Sequence, residues 1–190
     1  GTIFLGKMVE PVSSTKNPYS KMEMGVPYTH TPKFLQFDYR LVAPAGAPIY
    51  SSGFGSKKKL SGRDNAEVFV LLQRRWEDAK GNIHAERVGT GRERFGKTTM
   101  GWVNKHRIPI WYGDIRHHAG YKSFMGLIPK EKSYYARNSK GKMKPVIEEK
   151  WAPVGTKPTH VLVMLSSGCG TAYTGTVGMT LWVDNVAFVH

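Results

Sequence analysis

The residues in this chain whose types and spacing suit ligand chemistry are aromatic and basic. In the run AEVFVLLQRRW, strand alternation puts Leu72, Arg74 and Trp76 on one face and Gln73 and Arg75 on the other. The run stops being apolar at Gln73, so Arg74 and Trp76 fall where a core strand leaves the interior and can line a groove. A second stretch, GWVNKHRIPIWYG, carries Trp102 and Trp111 with Asn104, Lys105, His106 and Arg107 between them. Flat aromatic faces take the apolar C–H side of a pyranose, and planar polar groups take its hydroxyls, when both meet in a cleft. Arg74, Trp76, Trp102 and Trp111 are therefore the candidate ligand-binding residues, with Tyr28, Tyr112, Trp151, Arg75, His84, Asn104 and His106 as further contacts. Trp102 and Trp111 have opposite strand parity, so a bulge at Pro109 is needed to turn both into one cleft. Any one of these Trp residues fits equally well as core filling or as the base of a loop.

Other chemistries find less support. Glycoside hydrolysis needs two carboxylates roughly 5–10 Å apart; the fourteen acids include Glu77-Asp78, Glu86, Glu93, Glu131 and Glu148-Glu149 beside basic residues, and no pair stands out. His117-His118, His84 and His106 have no carboxylate or Cys at ligand spacing, which argues against a catalytic metal. Ser166-Ser167 has no His/Asp partners in view, and GTGRERFG is a glycine loop with no helix after it. Cys169 is the single cysteine and leaves no internal disulfide. Asp184 interrupts an apolar strand pattern, and an acid there needs hydrogen bonds, a base or a metal. An edge position facing water or a turn explains it. A structural calcium held by Asp184 and carbonyls near Gly6–Lys7 is the sharper possibility, with Lys7 arguing against it. No other cofactor is expected.

These residues must be positioned by strands. The 190 residues include 21 Gly and 11 Pro, with no long helical pattern. Strand patterns cover Thr2–Val9, the alternating Phe34–Leu41, Glu67–Trp76 with a turn at Lys80-Gly81 and the returning IHAERVG, Trp102–Tyr112, and two closing strands, THVLVMLSS and GMTLWVDNVAFV. A Pro/Ser/Asn-rich stretch occupies 10–17, and 43–65 reads as a Gly/Ser/Lys loop. From Asp114 to Thr156 periodicity is lost among many Lys and Arg, which predicts a peripheral basic insertion on a single domain spanning residues 1–190. The expected fold is an all-β, antiparallel jelly-roll β-sandwich. A net charge of +14 favours anionic partners such as acidic polysaccharides. Nucleic acid is not expected, for want of any RNA- or DNA-binding motif. No run approaches the roughly 18 apolar residues of a membrane span.

The motifs GTIFLGKM, GVPYTHTPKFLQFDYR, DNAEVFVLLQRRW and PTHVLVMLSSG…YTGTVGMTLWVDNVAFV, in that order, resemble the putative carbohydrate metabolism domain (PCMD) family of Bacteroidetes cell-surface proteins. The resemblance spans most of the chain outside Asp114–Thr156. It implies a jelly roll similar to galactose-binding and carbohydrate-binding modules, and an extracellular or outer-membrane location, often within a lipoprotein serving polysaccharide utilisation. The leading expectation is a carbohydrate-binding module that binds polysaccharide without catalysis. A glycoside hydrolase and a surface adhesion or assembly module are the alternatives.

Overall fold

The computed structural model describes residues 1–9, 11, 17–53, 55 and 57–190. Most of the stretch at 10–17 lies outside the described residues. Sixteen strands are described in chain order: β1 (Thr2–Phe4), β2 (Gly6–Met8), β3 (Met22–Met24), β4 (Val26–Pro27), β5 (Phe34–Val42), β6 (Ile49–Ser51), β7 (Lys58–Leu60), β8 (Ala66–Glu77), β9 (Ile83–Phe95), β10 (Val103–Pro109), β11 (Trp111–Tyr112), β12 (Tyr135–Arg137), β13 (Met143–Trp151), β14 (His160–Ser166), β15 (Thr174–Thr176) and β16 (Thr180–Val189). Helix is confined, among these residues, to three short 3-10 turns. The fold is all-β.

A ten-stranded sheet runs β1-β14-β8-β9-β13-β12-β3-β2, with β11 also on β9 and β4 on β14. It faces a three-stranded sheet, β10-β5-β16. The main core fills the space between them. Ala66, Val68, Val70 and Leu72 of β8 and Val161, Val163 and Leu165 of β14 meet Leu35, Phe37 and Leu41 of β5. β10 comes so close to β9 that a Cβ on Gly91 would lie 2.9 Å from the Pro109 carbonyl oxygen. This closes one side of the sandwich into a near-barrel. A third small sheet, β15-β6-β7, is built largely from the segment expected to be a loop.

The reverse face of the large sheet is also covered. Phe69, Leu71 and Leu162 pack with Met24, joined by Phe4, Met22, Ile128 and Tyr134. β8 is therefore buried on both faces over most of its length, which is why its sequence reads as a nearly continuous apolar run. At the end of this second core Arg87 and Glu148, both wholly buried, form an ion pair through Arg87 Nε to Glu148 Oε1 (2.7 Å) and Nη2 to Oε2 (2.5 Å). Gln73 Nε2 donates to Oε1 (2.6 Å) and the Ile128 N–H to Oε2 (2.7 Å). Arg75 donates to Gln73 Oε1 and to the Met24 carbonyl. Burial lowers its pKa to about 10 and, with Arg75 beside it, that of His160 to about 4.

This arrangement corrects two expectations. Residues 114–156 are not a peripheral insertion. β13 hydrogen-bonds along β9, and Val146, Glu148 and Ala152 are buried. The apolar period is missing because β13 turns Glu148 inward to Arg87, a charged residue in a core position. The sandwich is not purely antiparallel, since β13 runs parallel to β9 and β12 to β3. The closing strand β16 pairs with β5, and the N-terminal strand β1 lies on β14.

Removing one partner of a buried ion pair strands the other. Glu148→Ala should cost about 3–5 kcal/mol in urea unfolding, with a smaller loss for Arg87→Met combined with Glu148→Leu. His160, held neutral in the fold, should make stability fall as pH drops from about 6.5 toward 4. His160→Gln should flatten that slope in melts recorded across this range.

Candidate functional site

Beyond Leu72 the face of β8 that forms the main core opens to solvent. Arg74 is exposed there, and Trp76 is 42 % exposed. The hairpin to β9 places Glu86 opposite Arg74 and His84 opposite Trp76. The Asp78 carboxylate shapes the turn by accepting the N–H groups of Lys80 and Asn82. Arg74 Nη2 donates to Glu86 Oε2 at 2.5 Å, and Lys150 Nζ lies 3.3 Å from Glu86 Oε1. One buried carboxylate thus steers two cations whose outer ends stay in water.

The Trp76 and His84 rings stack with centroids 5.5 Å apart and planes 18° from parallel. His84 Nδ1 lies 2.6 Å from Glu149 Oε1, and Nε2 lies 3.3 Å from Asp78 Oδ2. Ionised carboxylates only accept hydrogen bonds. A ring protonated at both nitrogens donates to both, so these two carboxylates favour the imidazolium form. Glu149 is the main cause that raises its pKa, with Asp78 assisting. Asp78 is itself held well below the usual carboxylate range, chiefly by hydrogen bonds from Asn82. A bulge in β13 between Glu148 and Lys150 supplies the remaining geometry. It gives two consecutive side chains, Glu149 and Lys150, to the open face while Glu148 points to Arg87.

Of the four candidate residues, the fold brings Arg74 and Trp76 together and separates the other two. Trp111 pairs with Thr90, which lies opposite Leu71 of the reverse core, so it sits on the other face of the sheet. Its ring stacks on His118 at 3.7 Å. Trp102 precedes β10 in the small sheet and is 48 % exposed. The bulge that would have united them is not at Pro109; β10 shifts register between Val103 and His106. Arg75 belongs to the buried network. His84 and Glu86 follow from the alternation of the returning hairpin, whereas Glu149 and Lys150 had no signal, because parallel pairing with a strand over sixty residues earlier leaves no local mark.

Asp184 is exposed on β16 opposite Asp38, and its Oδ1 accepts the Asn185 N–H at 2.7 Å. Gly6 and Lys7 belong to the large sheet, in β2 on β3. Asp184 lies on the small sheet, in β16 on β5. Among the described residues no group of three or more His, Cys, Asp or Glu comes together as a metal-ligand set. No described helix is long and apolar enough to cross a membrane. A cleft of about 350 Å³ between Pro44–Ala47, Arg63, Asp64, Gly96 and Thr176 is lined by none of the candidate residues.

No protein-family model and no curated protein matches the chain. Among solved structures, the whole chain superposes on a crystal structure described as a putative glycoside hydrolase from Bacteroides vulgatus ATCC 8482, with a TM-score of 0.58 and 15 % identity. The chain spans 63 % of that protein's length. The likeness establishes a shared fold.

The imidazolium assignment predicts that both His84 nitrogens carry protons near neutrality. Nitrogen-detected NMR should show His84 titrating above the ordinary value of about 6.5. The stability it contributes is complete below that value and is lost as pH rises through the folded-state pKa. Glu149→Gln should move the midpoint down.

Proposed function

We propose that this chain is a carbohydrate-binding module of the PCMD type, a jelly roll from a secreted or outer-surface protein, that binds acidic polysaccharide at Trp76 without catalysis. The observation that carries this reading is the open end of β8 and β9. A half-exposed Trp lies on an imidazolium with the exposed ends of Arg74 and Lys150 beside it. The ring offers a stacking face, and the two cations suit the carboxylates of uronic acids. The net charge of +14 draws such chains in. The fold likeness to a protein described as a putative glycoside hydrolase is in keeping with a carbohydrate role.

Binding is favoured over hydrolysis by the state of the local acids. Glu86 is held by Arg74 and Lys150, Glu149 by His84, and Asp78 by Asn82 and backbone N–H groups. A glycosidase needs one carboxyl to deliver a proton and another to attack or activate water, and each acid here is committed to a neighbour.

Calorimetric titration with uronic-acid oligosaccharides tests the assignment. Trp76→Ala should weaken binding by about fivefold to tenfold with the melting temperature nearly unchanged. Arg74→Ala should weaken acidic ligands more than neutral ones. A large loss of melting temperature with unchanged affinity would place Trp76 in the fold and not in the site.

A further inference from the structure

The solvent face of the small sheet is organised around one carboxylate. On β5 the residues Leu35, Phe37 and Leu41 enter the core, so Gln36, Asp38 and Arg40 face outward. Each neighbouring strand is bulged beside Asp38. β10 shifts register between Val103 and His106, and β16 between Asp184 and Ala187. Both bulges contain a non-glycine residue in the left-handed region, Lys105 at φ 53° and Asn185 at φ 51°. Such conformations are costly for residues with a side chain and persist where their surroundings enforce them. Here Asp38 enforces both. Its Oδ1 accepts the Lys105 N–H at 2.5 Å, and its Oδ2 accepts from Asn185 Nδ2 at 2.7 Å.

Beside this pin lies a row of aromatic and cationic groups. Trp182 is opposite Arg40, whose guanidinium sits 5.2 Å from the indole centroid. Trp102 comes just before Val103, the partner of Tyr39, which puts it on the other flank of Arg40. Trp182 is 41 % exposed, and Val186, within the second bulge, is 47 % exposed. The two exposed indoles thus lie just outside the paired bulges, Trp102 before one and Trp182 before the other.

We propose that this face is a second glycan-binding platform, which takes an extended, uncharged polysaccharide chain laid across β16, β5 and β10. It shares with the Trp76 reading only that the ligand is a glycan. Two indoles separated by two strand spacings, about 10 Å, can stack on sugars that are not adjacent in one chain. Arg40, Asn185 and the Arg107–Gln36 pair supply planar groups for hydroxyls. Charge suits this ligand class: Arg40, Lys105 and Arg107 lie with Asp38 and Asp184, so the surface is close to balanced and has no strong preference for an acidic chain.

Depletion of the full chain from solution by insoluble β-1,4-glucan, β-1,4-mannan and chitin tests the proposal. The unaltered protein should be retained by at least one of them. Trp182→Ala should weaken retention by about fivefold to tenfold, and the Trp102→Ala, Trp182→Ala pair should abolish it. Trp182→Phe, which keeps a ring, should retain most binding and separates lost stacking from damaged folding if the alanine variant melts early. Trp76→Ala should reduce retention on these matrices far less than Trp182→Ala. Failure of the unaltered protein to bind any of the three overturns the platform, as does retention that depends on Trp76 and not on Trp182. In that last case the Trp76 site stands alone. Conversely, absence of uronic-acid binding with Trp182-dependent retention removes the Trp76 reading and leaves this one.

Discussion

A positive and a negative charge buried side by side set the terms for this fold. Arg87 and Glu148 are both removed from water, and neither is tolerable there alone. They are satisfied by bringing β13 against β9, the Ile128 backbone over the pair, and Gln73 and Arg75 in from β8. Three strands and a long connection are thereby fixed in mutual register by one polar cluster. A purely apolar contact would tolerate sliding; a bidentate guanidinium–carboxylate pair does not. The Arg75 hydrogen bond to the Met24 carbonyl extends the same constraint to the outer strands β3 and β2.

The same strands present opposite chemistry on their other side. Once Gln73, Arg75, Arg87 and Glu148 are committed inward, alternation obliges Arg74, Trp76, Glu86 and Glu149 to face outward. The buried cluster therefore determines which side chains reach the open face and at what spacing. Irregularities do the fine placement. The extra residue in β13 delivers Glu149 and Lys150 together, while Trp182 meets Arg40 in the regular register that precedes the bulge of β16.

Much of this was legible in the chain and some of it could not be. Alternation in Phe34–Leu41 and in the Glu67–Trp76 hairpin located β5, β8 and β9; the polar break at Gln73 marked the end of the main core, but Gln73 itself does not reach solvent and is buried on the reverse face against Glu148. Asp184-Asn185 was the informative anomaly in the last strand. Strict alternation assigns Phe188 to the face of Asp184, yet Leu181, Val183 and Phe188 all pack on the core. An extra residue at a bulge makes that possible, and Asn is among the side chains best suited to its left-handed turn. β13 escaped notice because its inward position is a glutamate and its partner strand lies far away in sequence. The short strands β6 and β7 lay hidden among Gly, Ser and Lys for a related reason: their pairing with each other and with β15 depends on tertiary contacts more than on local propensity.

The separation between Arg87 and Glu148 carries a kinetic meaning. Glu148 follows Arg87 by sixty-one positions, and closing so long a loop costs entropy before any contact repays it. During synthesis β8 and β9 can form their hairpin while Arg87 has no counter-ion, so its position can stay hydrated until β13 has been made. Only then can the centre of the large sheet desolvate. Folding should accordingly be slow, as for other sandwiches of high contact order, and the large sheet should complete its core late.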